Sequence, residues 1–176
     1  MKAVRVVLAV IGAIALVLIV ATIVVLASGG YDVSARRGHA RPVGRLLQNA
    51  MERSVHAHAR SLTIPAGVDV RDPKLAAQAA DDYREMCLLC HGAPGEKAAF
   101  WTAGMVPPAP ALADPQERRW SDAELYWIIK NGIKDTAMSA FGKTHDEQEL
   151  WALTALTRQL PGMSAAQFRA LSHEAK

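Results

Sequence analysis

The sequence predicts an all-α protein in which one membrane-spanning helix and a basic helical stalk precede a small helical domain. Three observations predict it. Residues 6–27 form an apolar run broken only by Gly12 and Thr22. Helix-start and helix-stop signals recur from residue 72 onward, with no convincing strand between them. Residues 93–118 hold five prolines and two glycines, the composition of one long, stiff loop.

The elements follow in order. A helix over residues 6–27 spans about 33 Å, close to the thickness of a bilayer's hydrocarbon core. The competing reading is a cleaved signal peptide ending near Val25-Leu26-Ala27, but such apolar regions run only about 7 to 15 residues. Gly29-Gly30 ends the span. Residues 31–45 read as irregular, with Gly38, Pro42 and Gly44 as punctuation. An amphipathic helix is expected over about residues 45–61, with Leu46, Leu47, Ala50, Met51 and Val55 at helical spacing. Pro65 and Gly67 then mark a linker. Asp72-Pro73 pairs an N-cap with Pro at the first helical position and opens a helix to about Cys87. Ser121 to Glu124 is a capping box whose helix stops at Asn131-Gly132. Thr144 to Glu147 reads as a second box, for a helix that stops before Pro161-Gly162. Ser164 to Gln167 reads as a third, for a short terminal helix. The expected organisation is an anchor (1–28), a juxtamembrane basic stalk and linker (29–71) and a helical domain (72–176).

Composition narrows the function. The chain has 176 residues, 51% hydrophobic and 21% charged, which excludes a disordered polyampholyte. Two cysteines are too few for a disulfide framework or an all-thiolate metal site. The net charge of +3 divides unevenly. Residues 33–62 hold six Arg against Glu52 alone, whereas residues 63–176 hold 12 basic and 15 acidic residues. An acidic domain gives no reason to expect a nucleic-acid partner. The basic stretch reads either as a solvated stalk or as a surface for anionic headgroups or an acidic partner.

Cys87-Leu88-Leu89-Cys90-His91 is Cys-x-x-Cys-His, the attachment motif for c-type haem. Two thiols add to two vinyl groups on one porphyrin edge, and a two-residue spacer sets their separation. The adjacent His then lies beneath the ring, where it can bind iron. A thioredoxin-like pair would want a βαβ context, and a zinc half-site would want two more ligands at metal spacing; neither is seen. A second axial ligand has several candidates: Met105, Met138, Met163 and His145 downstream, and His56 and His58 if the stalk folds back. Met138 sits in a short loop between two helices, from which a thioether can approach the iron face opposite His91. Met105 lies in the Pro-rich loop.

The motifs resemble those of single-haem class I c-type cytochromes. The resemblance covers residues 74–160 and runs through Tyr83 to Gly92, Val106 to Leu112, Trp120 to Ile133, the Met138 loop and Glu149-Leu150-Trp151. It implies a cytochrome c-like haem domain with one covalent haem c, thioethers at Cys87 and Cys90, and axial ligands His91 and Met138. It implies that a backbone carbonyl in the Pro107–Pro108 region accepts the His91 ring N–H. The Pro-rich loop, including Pro108, and Phe141 would keep water from the iron. The family pattern has Gly before and Pro after the ligand methionine; here they are Ala137 and Ser139, so a looser ligand loop is expected. Arg118, Arg119 and Trp120 are candidates for the haem propionates. Tyr83, Trp127 and Trp151 are expected in the core.

The expected function is one-electron transfer between redox partner proteins, from a single-pass position in the bacterial inner membrane. Covalent haem attachment places the domain on the periplasmic side. A haem subunit permanently bound to a membrane dehydrogenase or oxidase complex is the alternative, and a gas-binding sensor or peroxidase with a displaceable Met138 is a third. No residue stands in a recognisable general-base or nucleophile setting, so an electron-transfer protein rather than an enzyme is expected.

Overall fold

The structure, a computed structural model, describes residues 1–174, apart from the side chains of residues 117, 118 and 172–174. Two compact units divide the chain, Met1–Ala35 and Arg36–Lys176. The first is built on α1 (Lys2–Ala27), about 39 Å long at 1.5 Å per residue. None of its residues is buried, so it serves no protein core. Its length and composition suit a membrane span.

The second unit is all-helical, with no strand among the described residues beyond a single-residue bridge between Ala93 and Glu96. Its elements are α2 (Arg41–Ala59), α3 (Pro73–Gln78), α4 (Ala80–Asp82), α5 (Leu88–His91), α6 (Asp122–Asn131), α7 (Glu147–Gln159) and α8 (Ala165–Glu174). Helix α7 is the hub. Every residue from Leu150 to Thr157 is buried, as expected for a helix packed on all sides. The two threonines are the polar members of that run, and Thr154 satisfies its hydroxyl by donating to the Leu150 carbonyl at 2.8 Å. The Tyr126 ring of α6 stacks on Trp151 at 4.1 Å, and Tyr83 meets Phe168 edge-on at 5.9 Å. Truncating a side chain here leaves a void that the hub cannot close from any side. Leu156→Ala is therefore expected to cost about 2–5 kcal/mol, read as a lower urea midpoint with unchanged slope.

Local chemistry sets most helix boundaries. The Asp72 carboxylate accepts the Lys74 N–H at 2.8 Å, with Pro73 in the first turn. Ser121 and Glu124 form the reciprocal box that opens α6, and Gly132 at φ +65° closes it. Ser164 and Gln167 likewise exchange hydrogen bonds ahead of α8. Three boundaries differ from expectation. Helix α7 is capped by Asp146, paired with Glu149, because the Thr144 hydroxyl is engaged with the Phe141 carbonyl at 3.2 Å. Helix α2 starts at Arg41, since Pro42 in a first turn forfeits no helical hydrogen bond. The helical path from Pro73 does not end at Cys87: a π-helical turn, Tyr83–Cys87, passes it on to α5 and so to His91.

Residues 29–71 were expected as a stalk ahead of the domain, yet α2 packs on α6 and shares the domain's core. Val55 is fully buried and Ala59 nearly so. Polar contacts reinforce the seat. Arg119 pairs with Glu52 at 2.8 Å, and Glu124 pairs with the His56 ring, which lies 5.5 Å from Trp120. Burial pushes the Glu124 carboxyl up, but hydrogen bonds from His56 and Ser121 outweigh it and hold the group below its ordinary value.

Candidate cofactor site

A cavity of about 310 Å³ lies among α2, the Cys-x-x-Cys-His turn, the Pro-rich loop, α6 and the loop that follows it. All six residues expected at a haem, Cys87, Cys90, His91, Pro108, Met138 and Phe141, line it. They come from segments up to 54 positions apart and are brought together only by the fold. Leu125, Ile128, Ile129 and Ile133 supply apolar wall.

The first side of the site is built at a helix end. Cys87 closes the π-helical turn, and Cys90 and His91 belong to α5. Gly92 then turns the chain at φ +65°, where an added Cβ would lie 2.8 Å from the Glu96 carbonyl oxygen. The buried Tyr83 hydroxyl donates to the Gly92 carbonyl at 2.7 Å, tying that turn to the core. Burial pushes the Cys87 thiol up to about 12, with Asp82 and Cys90 adding to the effect. The group presented at neutral pH is thus a thiol, the form that adds across a vinyl group.

His91 Nδ1 lies 2.7 Å from the Pro110 carbonyl oxygen. A carbonyl can only accept, so Nδ1 carries the proton and the lone pair resides on Nε2. The acceptor was expected from Pro107 or Pro108. The loop path, which includes a cis Val106–Pro107 bond, delivers Pro110 to the ring instead, while Pro107 and Pro108 line the cavity.

The Met138 loop forms another part of the cavity wall. Ile133 N–H donates to the Met138 carbonyl at 3.1 Å, Met138 N–H donates to the Thr136 hydroxyl at 3.1 Å, and that hydroxyl donates to the Ile133 carbonyl at 2.7 Å. This closed set of bonds restrains the loop without the proline that position 139 lacks. Gly132 is its tightest point, because a Cβ there would sit 2.5 Å from the Met138 carbonyl oxygen. Gly132→Ala is therefore expected to cost about 1–3 kcal/mol in backbone strain. It should also displace the Met138 backbone, and the melting temperature should fall accordingly.

The other candidates divide. Met105 and Arg119 line the cavity, as does the buried Trp120. Met163 packs against the core near a separate cleft. His145 is engaged with Thr144 and the Phe141 carbonyl, and His58 with Ser54; neither lines the cavity, and nor does His56. Tyr83 and Trp151 are core residues and Trp127 packs against the core. The side chain of Arg118 lies outside the described residues. Sequence reasoning missed Gln48 and Met51, which α2 adds to the cavity wall. The signal was present in the spacing of Met51 and Val55, but nothing local told how much of that row the domain covers.

The donor set fits a covalently held haem: two thiols, an imidazole with an assigned tautomer and a thioether around one apolar cavity. Such a helical domain, with Cys-x-x-Cys-His delivering its imidazole to that cavity, defines a c-type cytochrome. Residues 74–156 match the family of cytochrome c oxidase, cbb3-type, subunit III. No curated protein matches the chain. The chain carries a class I c-type cytochrome domain, a haem-based electron-transfer module, behind an N-terminal helix that fits a membrane anchor.

Proposed function

We propose that this is a membrane-anchored cytochrome that passes single electrons between redox partners through one haem, held by thioethers to Cys87 and Cys90 and ligated by His91 and Met138. The observation that carries the reading is the single cavity lined by all four residues, with His91 Nδ1 held by Pro110. When bound, haem with His/Met ligation supplies a reversible one-electron couple at raised potential and offers no open coordination position. The rest is the work of the chain. The Pro110 carbonyl orients the imidazole and makes Nε2 the metal-binding nitrogen. The hydrogen-bonded loop around Thr136 holds the Met138 thioether in place. Met51, Leu112 and Phe141 exclude water from the cavity and keep its dielectric low.

Covalent haem attachment favours a haem domain outside the bacterial inner membrane, with the N-terminus inside. Trypsin added to intact spheroplasts should then degrade the haem-staining band, and protection of the band would reverse the orientation. A second reading, a haem subunit permanently bound to a terminal oxidase, is favoured by the description of the matching family. Purification of the full chain in mild detergent separates the two. A carrier elutes as a lone 19.0 kDa haem-stained chain, and a subunit brings its complex with it.

A further inference from the structure

The domain's core uses only the later turns of the apolar side of α2. Met51, Val55 and Ala59 face inward. Val43, Leu46 and Leu47, in the first turns, are 42%, 68% and 50% exposed: Val43 and Leu47 continue the i, i+4 row of Met51 and Val55, and Leu46 lies about 100° round the helix from Leu47. Arg53 and then Arg45 follow Leu46 round the helix, and Arg36, Arg37, Arg41 and Arg60 lie toward its ends, all exposed. Among the described residues none of these six arginines forms an ion pair. The one acid of residues 33–62, Glu52, is taken by Arg119 and Gln48. Six uncompensated guanidinium groups around a short apolar ridge match a surface that is anionic at its face and apolar just beneath.

We infer that the exposed first turns of α2 dock on the anionic headgroups of the bilayer, with Val43, Leu46 and Leu47 entering the acyl boundary. Residues 28–40 join α1 to α2 and reach at most about 45 Å when extended. With α1 in a membrane, that tether keeps α2 beside the lipid at an effective concentration that a diffusing protein does not match. The ridge's exposed side chains are aliphatic or cationic, with no aromatic among them. The inner face of the same helix lends Gln48 and Met51 to the cavity, so docking fixes the cavity's height above the lipid.

The test uses the full chain in lipid nanodiscs and is independent of haem ligation and of any redox partner. Hydrogen exchange of residues 43–51 is compared in phosphatidylcholine discs and in discs containing one-third phosphatidylglycerol. The expected result is exchange about tenfold slower in the anionic discs, with residues 150–157 unchanged as the internal control. Arg41→Gln/Arg45→Gln/Arg53→Gln should erase the difference, as should 0.5 M salt, while the control segment keeps its protection. Leu46→Ser/Leu47→Ser should reduce it without touching the charge. Exchange of residues 43–51 equal within twofold in the two discs overturns the inference. So does slowing that appears only when solubilised membrane proteins are added, which would assign the ridge to a protein partner.

Discussion

Cys87→Ala/Cys90→Ala is expected to remove all haem staining from the chain in a denaturing gel. Both thiols line the same cavity, and no other cysteine exists to replace either. The effect on stability should be large as well. The cavity measures about 310 Å³, and at roughly 24 cal/mol per Å³ an unfilled apolar void of that size costs at most about 7 kcal/mol. A typical domain has only about 5–15 kcal/mol in total. The double variant should therefore lose cooperative thermal unfolding near the cavity while α1 keeps its helical signal. A variant that still stains on the gel would refute covalent attachment through these cysteines.

Met138→Ala is expected to abolish the thioether–iron absorption band of the oxidised protein and to lower its reduction potential, because a thioether ligand favours the reduced iron. If Met138 is the ligand, as proposed, its loss would leave the iron a free coordination position, so the reduced variant should bind carbon monoxide where the parent does not. The fold should survive, since Met138 is only half-buried at the margin of the core. If the band persists, the thioether comes from Met105 or Met51, both of which line the cavity; Met105→Ala and Met51→Ala then show which. Binding of carbon monoxide by the unmodified reduced protein would instead favour the sensor or peroxidase reading.

Much of this site was legible because its determinants are short-range. Cysteines three positions apart with an adjacent histidine place three groups on one helical end. Asp72-Pro73 and Ser121 to Glu124 satisfy backbone donors within four residues. Such interactions survive any change in the rest of the chain, so a local reading suffices. The Thr144 and Asp146 boundary shows the limit: both are competent caps, and the Phe141 carbonyl, by engaging Thr144, left α7 to Asp146. The same holds for the His91 acceptor. Every residue of the Pro-rich loop offers a carbonyl, and the choice of Pro110 depends on how the whole loop is laid across the site.

The amino-acid sequence by itself determined the apolar N-terminal helix, the all-helical domain, and the order and spacing of the groups that a covalent haem requires. These rest on composition, periodicity and contacts within a turn or two. Tertiary structure alone decided that residues 41–59 are a wall of the cavity rather than a stalk beneath it. The apolar row Val43, Leu47, Met51, Val55 and Ala59 recurs every four residues, so periodicity is silent on how much of it the domain covers. Glu124, Trp120 and Arg119, more than 60 positions downstream, supply the partners that select the face with Met51 and Val55. The six arginines of residues 33–62 gain their meaning the same way: the core covers the later turns of α2 and leaves its first turns exposed beside them.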